Sequence, residues 1–163
     1  MLMYERVAIG TGQTGGIQTP MYRQLSNEAT KRGVSVDPMI RQELTRLYSA
    51  EVCKSLMSMR TRAEQQAGKT PGPGGSLGKL AGAMISTRYR DLSMAIVGPD
   101  SVAGEDGGKW AKAALTTLAS GIAGGTNEIQ RNIIGERVLG LPREPSVDKD
   151  APFKDLVVGT QRD

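Results

Sequence analysis

The sequence predicts an all-α fold, an up-and-down helical bundle arranged around one apolar seam. Aromatic residues make up only 4% of the 163-residue chain, so a core must be built from aliphatic residues and the eight methionines. That composition favours packed helices over a sheet. Apolar residues also recur at helical spacing in several segments, and glycine- and proline-rich stretches separate those segments.

An apolar-rich segment at the start of the chain predicts a helix from the first residues: Leu2, Tyr4, Val7, Ala8 and Ile9. The glycines in residues 10–16 weaken that helix, since each costs about 1 kcal/mol relative to alanine. Pro20 predicts a break or a restart, after which a second section runs to Gly33.

The longest predicted helix starts at Asp37, an N-cap acceptor, with Pro38 at the first helical position. Its apolar residues hold one face for roughly five turns and predict the core of the bundle. They are Ile40, Leu44, Leu47, Tyr48, Val52, Leu56 and Met59. The charged residues on the opposite face are predicted to be solvated.

Residues 68–75, GKTPGPGG, predict a linker, because they lack the glycine-lysine-hydroxyl ending of a phosphate-binding loop. Ser76 is the predicted cap of the next helix, which ends at Gly98 and Pro99. Its predicted buried side consists of Leu77, Leu80, Ala81, Met84, Ile85, Leu92 and Ile96. A second polar loop over residues 100–108 leads to a shorter helix with Trp110, Ala114, Leu115, Leu118 and Ile122.

The chain is organised around residues 121–142, GIAGGTNEIQRNIIGERVLGLP. Gly124 and Gly125 interrupt the preceding helix, and Thr126 is a predicted N-cap that accepts from the backbone N–H of Glu128 or Ile129. An apolar stripe follows, and Gly140 with Pro142 ends the helix. A glycine pair before a helix N-terminus suits an anion, although an ordinary turn is the simpler interpretation.

The domain prediction is a helical bundle over residues 1–142 and an extended tail over residues 143–163. The tail is charged and interrupted by proline, so we expect it to lie over the surface or to reach a neighbouring subunit.

Composition excludes several kinds of site. The chain has no histidine, which excludes Ser-His and Cys-His nucleophiles and imidazole metal ligands, and no metal site is predicted. Cys53 is the only cysteine, so an internal disulfide is excluded and a reducing, cytoplasmic compartment fits. The net charge of +4 comes from scattered basic residues, which indicate solvated helix faces rather than nucleic-acid binding. No apolar stretch is long enough to span a membrane.

The run GGTNEIQRNIIGERVLGLP closely resembles the last helix of the acyl-CoA dehydrogenases, flavoproteins that desaturate acyl-CoA thioesters between Cα and Cβ. The resemblance implies a helical C-terminal domain, FAD, an acyl-CoA substrate, an electron acceptor and homo- or hetero-oligomeric assembly. It covers only the C-terminal part of the family, whose other domains hold much of the flavin and thioester. The 163 residues alone are therefore expected to be inactive.

The resemblance also implies a catalytic base. Many relatives carry it as the glutamate immediately before the Gly-Thr pair, where this sequence has Gly124. Others carry it on the first long helix, directly before an arginine, and the corresponding pair here is Glu5 and Arg6. Glu5 is thus the implied base and Arg6 the implied substrate contact. An ordinary solvated ion pair is the alternative for these two residues.

The flavin contacts implied by the resemblance are Gly124, Gly125, Thr126 and Glu128. Glu128 replaces a glutamine found in many relatives. The family's Arg-x-x-Phe-Gly motif is replaced by ATKRGVSVDP, and its glycine-rich turn by VGPDSVAG.

Two hypotheses follow. The chain is the C-terminal domain of a flavin-dependent acyl-CoA dehydrogenase, or it is a non-catalytic helical subunit or interaction module of the same descent. Nucleotide binding without chemistry is a third hypothesis that depends only on the glycine turn.

Overall fold

The computed structural model describes residues 20–70, 72–103, 107–143 and 152–156. Within these ranges the chain contains six α-helices and no β-strand, which confirms the predicted all-α class. The helices are α1 (Met21–Lys31), α2 (Pro38–Gln66), α3 (Gly75–Val97), α4 (Asp100–Ala103), α5 (Gly107–Ser120) and α6 (Asn127–Ile133). A π-helical turn continues α6 over Ile134–Val138, and a 3-10 turn covers Phe153–Asp155.

Helix α3 lies at the centre of the bundle and contacts the other five described α-helices. The apolar core forms where the C-terminal half of α3 meets α1, the first half of α2 and the start of α5. Its buried residues are Leu25, Ala29, Leu47, Ile85, Leu92, Ile96, Val97 and Trp110.

Two carboxylates cap the first two helices. Asp37 accepts from the backbone N–H groups of Met39 at 2.7 Å and Ile40 at 3.2 Å, which confirms the predicted start of α2. Glu51, in the middle of α2, accepts from the N–H groups of Met21 at 2.9 Å and Tyr22 at 3.0 Å. Because Glu51 satisfies two donors that the first turn of α1 leaves unpaired, it fixes the start of α1 against α2.

Two local predictions are wrong. Ser76 does not cap α3, since the N-cap is Gly74 without a side-chain hydrogen bond and Ser76 is buried in the first turn. Residues 100–108 are not simply a loop: Gly98 ends α3 with a left-handed φ of 66°, α4 covers Asp100–Ala103, and α5 begins at Gly107. Asp100 in the first turn of α4 pairs at 3.0 Å with Arg32, the C-cap residue of α1, which holds this short helix to the bundle.

The predicted core stripe of α2 is wrong for its second half. Leu47 is buried, but Tyr48, Leu56 and Met59 are 46%, 60% and 61% exposed. Most of the stripe advances in steps of four, and each such step rotates about 40° around a helix of 3.6 residues per turn. The stripe therefore turns away from α1 and α3 as it proceeds towards the end of α2. Four other residues that were predicted to be buried are also exposed. They are Met84 in α3, Leu115 and Leu118 in α5, and Ile122 after α5.

The end of the organising stretch matches its prediction in part. Gly140 has a φ of 70°, and the N–H of Leu141 returns to the carbonyl of Gly135 at 2.9 Å. The apolar stripe is less buried than expected, since Ile129 and Val138 are exposed. The boundary between bundle and tail at residue 142 stays a prediction, because residues 144–151 and 157–163 lie outside the described ranges.

Candidate functional site

The candidate site is the turn of residues 124–126, which we call the glycine–threonine corner. Helix α5 ends at Ser120, and the chain turns through residues 121–125 before α6. Gly124 and Gly125 adopt φ values of 67° and 95°, and Thr126 is extended. A side chain is strongly disfavoured in two successive left-handed residues, so the corner has this shape only with glycine at both positions.

Thr126 caps α6 as predicted, since its Oγ1 accepts from the N–H of Ile129 at 3.3 Å. The neighbouring Glu128 is largely exposed and pairs with Arg131 at 3.4 Å. Hydrogen bonds from its own backbone N–H and from the Thr126 hydroxyl lower the pKa of the Glu128 carboxyl, with smaller contributions from Arg131 and Lys79. The positive end of α6 therefore already carries an anion belonging to the chain.

Gln130 holds the corner from inside and was missed by the sequence analysis. It is fully buried, and its Nε2 donates to the carbonyls of Gly124 at 2.9 Å and Gly125 at 3.4 Å. Its Oε1 is buried without a hydrogen-bond partner. The signal available in the sequence was a glutamine four residues after a helix cap, on the same side of α6 as the turn that it binds.

Lys79 of α3 contacts the start of α6, next to the corner, and was also missed. Its side chain is 2% exposed, and its Nζ donates to Oδ1 of Asn127, the first residue of α6, at 3.4 Å. Burial lowers the pKa of the Lys79 ammonium, and the charge of Glu128 partly opposes that shift. The apolar periodicity of α3 predicted a buried side without charged residues, so a buried lysine there had no signal in the sequence.

Of the four predicted contact residues, Gly124, Gly125 and Thr126 form the corner, and Glu128 lies in the first turn of α6 directly after it. Glu5 and Arg6 lie outside the described residues, so the proposed base and substrate contact have no position here. Within the part of the chain that is described, no group of three or more Cys, Asp or Glu residues could hold a metal ion. No helix in that part is long and apolar enough to cross a membrane.

Comparison with known proteins identifies the family to which the chain belongs. The model of the acyl-CoA dehydrogenase C-terminal domain matches residues 1–139, a range that contains the corner and its supports. The chain belongs to the acyl-CoA dehydrogenase family. Residues 1–19, which include Glu5 and Arg6, lie inside the match to that family.

Two curated acyl-CoA dehydrogenases are similar to the chain. It is 39% identical over 152 residues to acyl-CoA dehydrogenase IpdE1 of Mycobacterium tuberculosis, an alignment that covers 88% of this chain. It is 35% identical over 150 residues to acyl-CoA dehydrogenase IpdE1 of Mycolicibacterium smegmatis, with 85% of this chain covered. The chain spans 37% of the length of each relative. No solved structure matches it.

Proposed function

We propose that the chain is the C-terminal domain of a flavin-dependent acyl-CoA dehydrogenase that forms the α,β double bond of an acyl-CoA thioester. The observation that carries this proposal is the glycine–threonine corner. Two left-handed glycines, a capping threonine and a buried glutamine that clamps them lie within the residues that match the family. In the family this corner lies against the flavin.

The residues of the corner fit FAD. Gly124 and Gly125 present backbone without Cβ atoms, which permits close approach of a planar ring. Gln130 keeps a buried acceptor, Oε1, without a partner, and native structures normally satisfy such an atom with a bound group or an ordered water. Gly124, Gly125 and Thr126 would hold the flavin, with Glu128 beside them. The chemistry that FAD supplies when bound is acceptance of the hydride from Cβ.

Within this proposal Glu5 removes the proton from Cα of the thioester, and Arg6 contacts the substrate. Gly124 provides no carboxylate at the position many relatives use, so a base must come from elsewhere in the chain. The complete protein would act on an acyl-CoA substrate in the cytoplasm and pass its electrons to a separate acceptor. The residues of this chain would be inactive without the domains that complete the flavin site.

The test of the base uses the flavin-containing assembly that holds this chain. Glu5→Gln is expected to retain the flavin absorption band but to lose at least about 100-fold in turnover, the usual contribution of a general base. Glu64→Gln, which changes an exposed carboxylate on α2, is the control and should keep full turnover. Unchanged dehydrogenation by Glu5→Gln would remove Glu5 from the mechanism.

The second candidate function is a non-catalytic helical subunit of a heteromeric acyl-CoA dehydrogenase. The exposed apolar residues on α2 and α5 favour assembly with other subunits, because a patch such as Tyr48, Leu56 and Met59 usually marks an interface. Leu56→Asp should lower the assembly state measured by sedimentation, whereas Asn27→Asp, at an exposed position of α1, should not. A flavin band that bleaches with an acyl-CoA supports the enzyme, and a colourless stable oligomer supports the subunit.

A further inference from the structure

A basic cavity lies between the second half of α2, the first half of α3 and the turn after α5. Its volume is about 440 Å³, and both Met21 at the start of α1 and Ala123 before the corner line it. Three cations contribute to its walls: Lys54 and Arg62 from α2, and Lys79 from α3. We call this space the basic cavity.

Hydroxyl groups complete the walls. Ser55 and Ser58 come from α2, Ser86 from α3 and Ser120 from the end of α5. The hydroxyls of Ser58 and Ser120 donate to backbone carbonyls of their own helices. Ser55 and Ser86 stand on facing helices and provide two further O–H donors for a ligand between them.

Cationic side chains outnumber acidic ones among the described residues that line the cavity. Glu51 is the only acidic residue among them, and its two carboxylate oxygens accept from the N–H groups of Met21 and Tyr22. The charge of Glu51 also acts on Lys54, and Glu128, which lies outside the lining, acts on Lys79. An anion between the two lysines would give both ammonium groups an acceptor that is not already engaged in capping a helix.

The cations are held in place by the fold. Lys79 is almost completely buried and has a neutral amide, Asn127, as its hydrogen-bond acceptor at 3.4 Å. Lys54 lies against α3 at Gly82, where an added Cβ would stand 3.4 Å from Lys54 Cε. Burial lowers the pKa of both ammonium groups, and the charges of Glu51 near Lys54 and of Glu128 near Lys79 only partly oppose that shift. Moving an ammonium group out of water costs free energy, part of which a bound anion would recover.

We propose that the basic cavity binds a phosphate group. A tetrahedral phosphate offers several acceptor oxygens in different directions, which suits cations and hydroxyls on facing helices better than the two oxygens of a carboxylate do. The cavity is larger than a phosphate ion, so it also accommodates the part of a larger molecule that carries the phosphate. This inference goes beyond dehydrogenation and does not require the corner to bind flavin.

The test measures saturable binding to the full chain, first of inorganic phosphate and then of coenzyme A and ADP, by calorimetry at constant ionic strength. Wild type is expected to bind at least one of them saturably. Lys54→Met and Lys79→Met should each weaken that binding about tenfold or more, and Lys112→Met, on the exposed side of α5, should not. Tighter binding of coenzyme A or ADP than of phosphate would identify the carrier of the phosphate group.

Two results would overturn the proposal: no saturable binding by wild type, or binding that the Lys54 and Lys79 variants retain at full strength. If Lys79→Met does not fold, Lys54→Met and Ser86→Ala provide the test of phosphate binding. Both residues line the cavity but are only partly buried, so their replacement should leave the chain folded. Flavin content is measured on the same variants. Loss of phosphate binding with flavin retained would separate this site from the corner, and failure of the proposed dehydrogenase activity would leave the binding result unchanged.

Discussion

The two halves of α3 bury opposite kinds of side chain. From Ile85 onward α3 buries mainly large apolar side chains against α1, α2 and α5, and its buried Ser93 donates to the carbonyl of Arg90. Before Ile85 it buries Ser76, Lys79 and only one small apolar residue, Ala83. Burial of a large apolar side chain adds roughly 1.5–3 kcal/mol to the free energy of unfolding. A buried cation whose charge is only partly compensated lowers it. The apolar core therefore supplies the stability of the bundle, whereas the basic cavity costs stability that the proposed phosphate would recover.

The strongest test of this comparison is in the apolar core. Trp110→Ala should destabilise the chain by about 3–5 kcal/mol, because Trp110 is 4% exposed and its removal leaves a cavity. Leu115→Ala on the same helix is the control and should change the free energy of unfolding by less than about 1 kcal/mol, since Leu115 is 69% exposed. Urea denaturation measures both. Equal losses would mean that α5 has a different buried face.

The second test lies at the border between the two regions. Glu51→Ala should destabilise the chain by about 1–2 kcal/mol, because two backbone N–H groups of α1 lose their acceptor. Asp37→Ala removes a cap within α2 and should cost about 1 kcal/mol. Hydrogen exchange distinguishes them, since Glu51→Ala should raise exchange at the start of α1. Unchanged exchange there would contradict the assigned cap.

The third test concerns the basic cavity in phosphate-free buffer. Lys79→Met should be neutral or stabilising by about 1 kcal/mol at pH 7, the opposite sign from Trp110→Ala, since a buried ammonium is replaced by an apolar side chain. A marked loss of stability would mean that the lysine is fully compensated in the folded chain.

The pH dependence of the free energy of unfolding provides a second test of Lys79. Because burial lowers its pKa below the ordinary value of 10.5, the unfolded chain binds more protons between the two pKa values, and stability rises with pH in that window. Lys54 acts with the same sign. Lys79→Met should flatten the rise seen in urea denaturation at alkaline pH, and Lys112→Met should leave it as in wild type.

The smallest effect is expected on the surface that joins α2 to α3. Glu43 pairs with Arg46 and with Arg88, and these partly exposed contacts lower its pKa, Arg46 most of all. Glu43→Gln should cost less than about 1 kcal/mol at pH 7. Because the pKa of Glu43 is lowered in the folded chain, its ion pairs stabilise the chain at pH values above the ordinary carboxyl pKa. That stabilisation is lost as the pH falls through the pKa of the folded chain. Wild type and Glu43→Gln should therefore become equally stable in acid, and a difference that persists there would indicate a packing effect.

Local rules predicted most of the helix boundaries. Asp37 with Pro38, Gly98 with Pro99 and the Gly124–Thr126 turn act through backbone conformation and capping, which depend on residues a few positions apart. The sequence was therefore sufficient for the fold class and for the position of the corner and its threonine cap. It failed at Ser76, where a plausible cap residue proved to be buried inside the first turn.

Burial and long-range partners could not be predicted in the same way. Periodicity identified the stripe of α2 but not which part of it another helix covers, and Leu56 proved exposed. Lys79 and Asn127 are 48 residues apart, and their contact depends on how α3 packs against α6. Gln130 is closer to its partners, yet its role depends on two left-handed glycines whose carbonyls turn inward. Such sites require the tertiary arrangement.

The cap provided by Glu51 links the start of α1 to the wall of the basic cavity. Met21 and Glu51 both line the cavity, and the two carboxylate oxygens of Glu51 accept from the N–H groups of Met21 and Tyr22. A substitution of Glu51 therefore removes an acidic group from the cavity and the acceptor of two helix donors at once. An altered ligand affinity in such a variant would have to be separated from an altered position of α1.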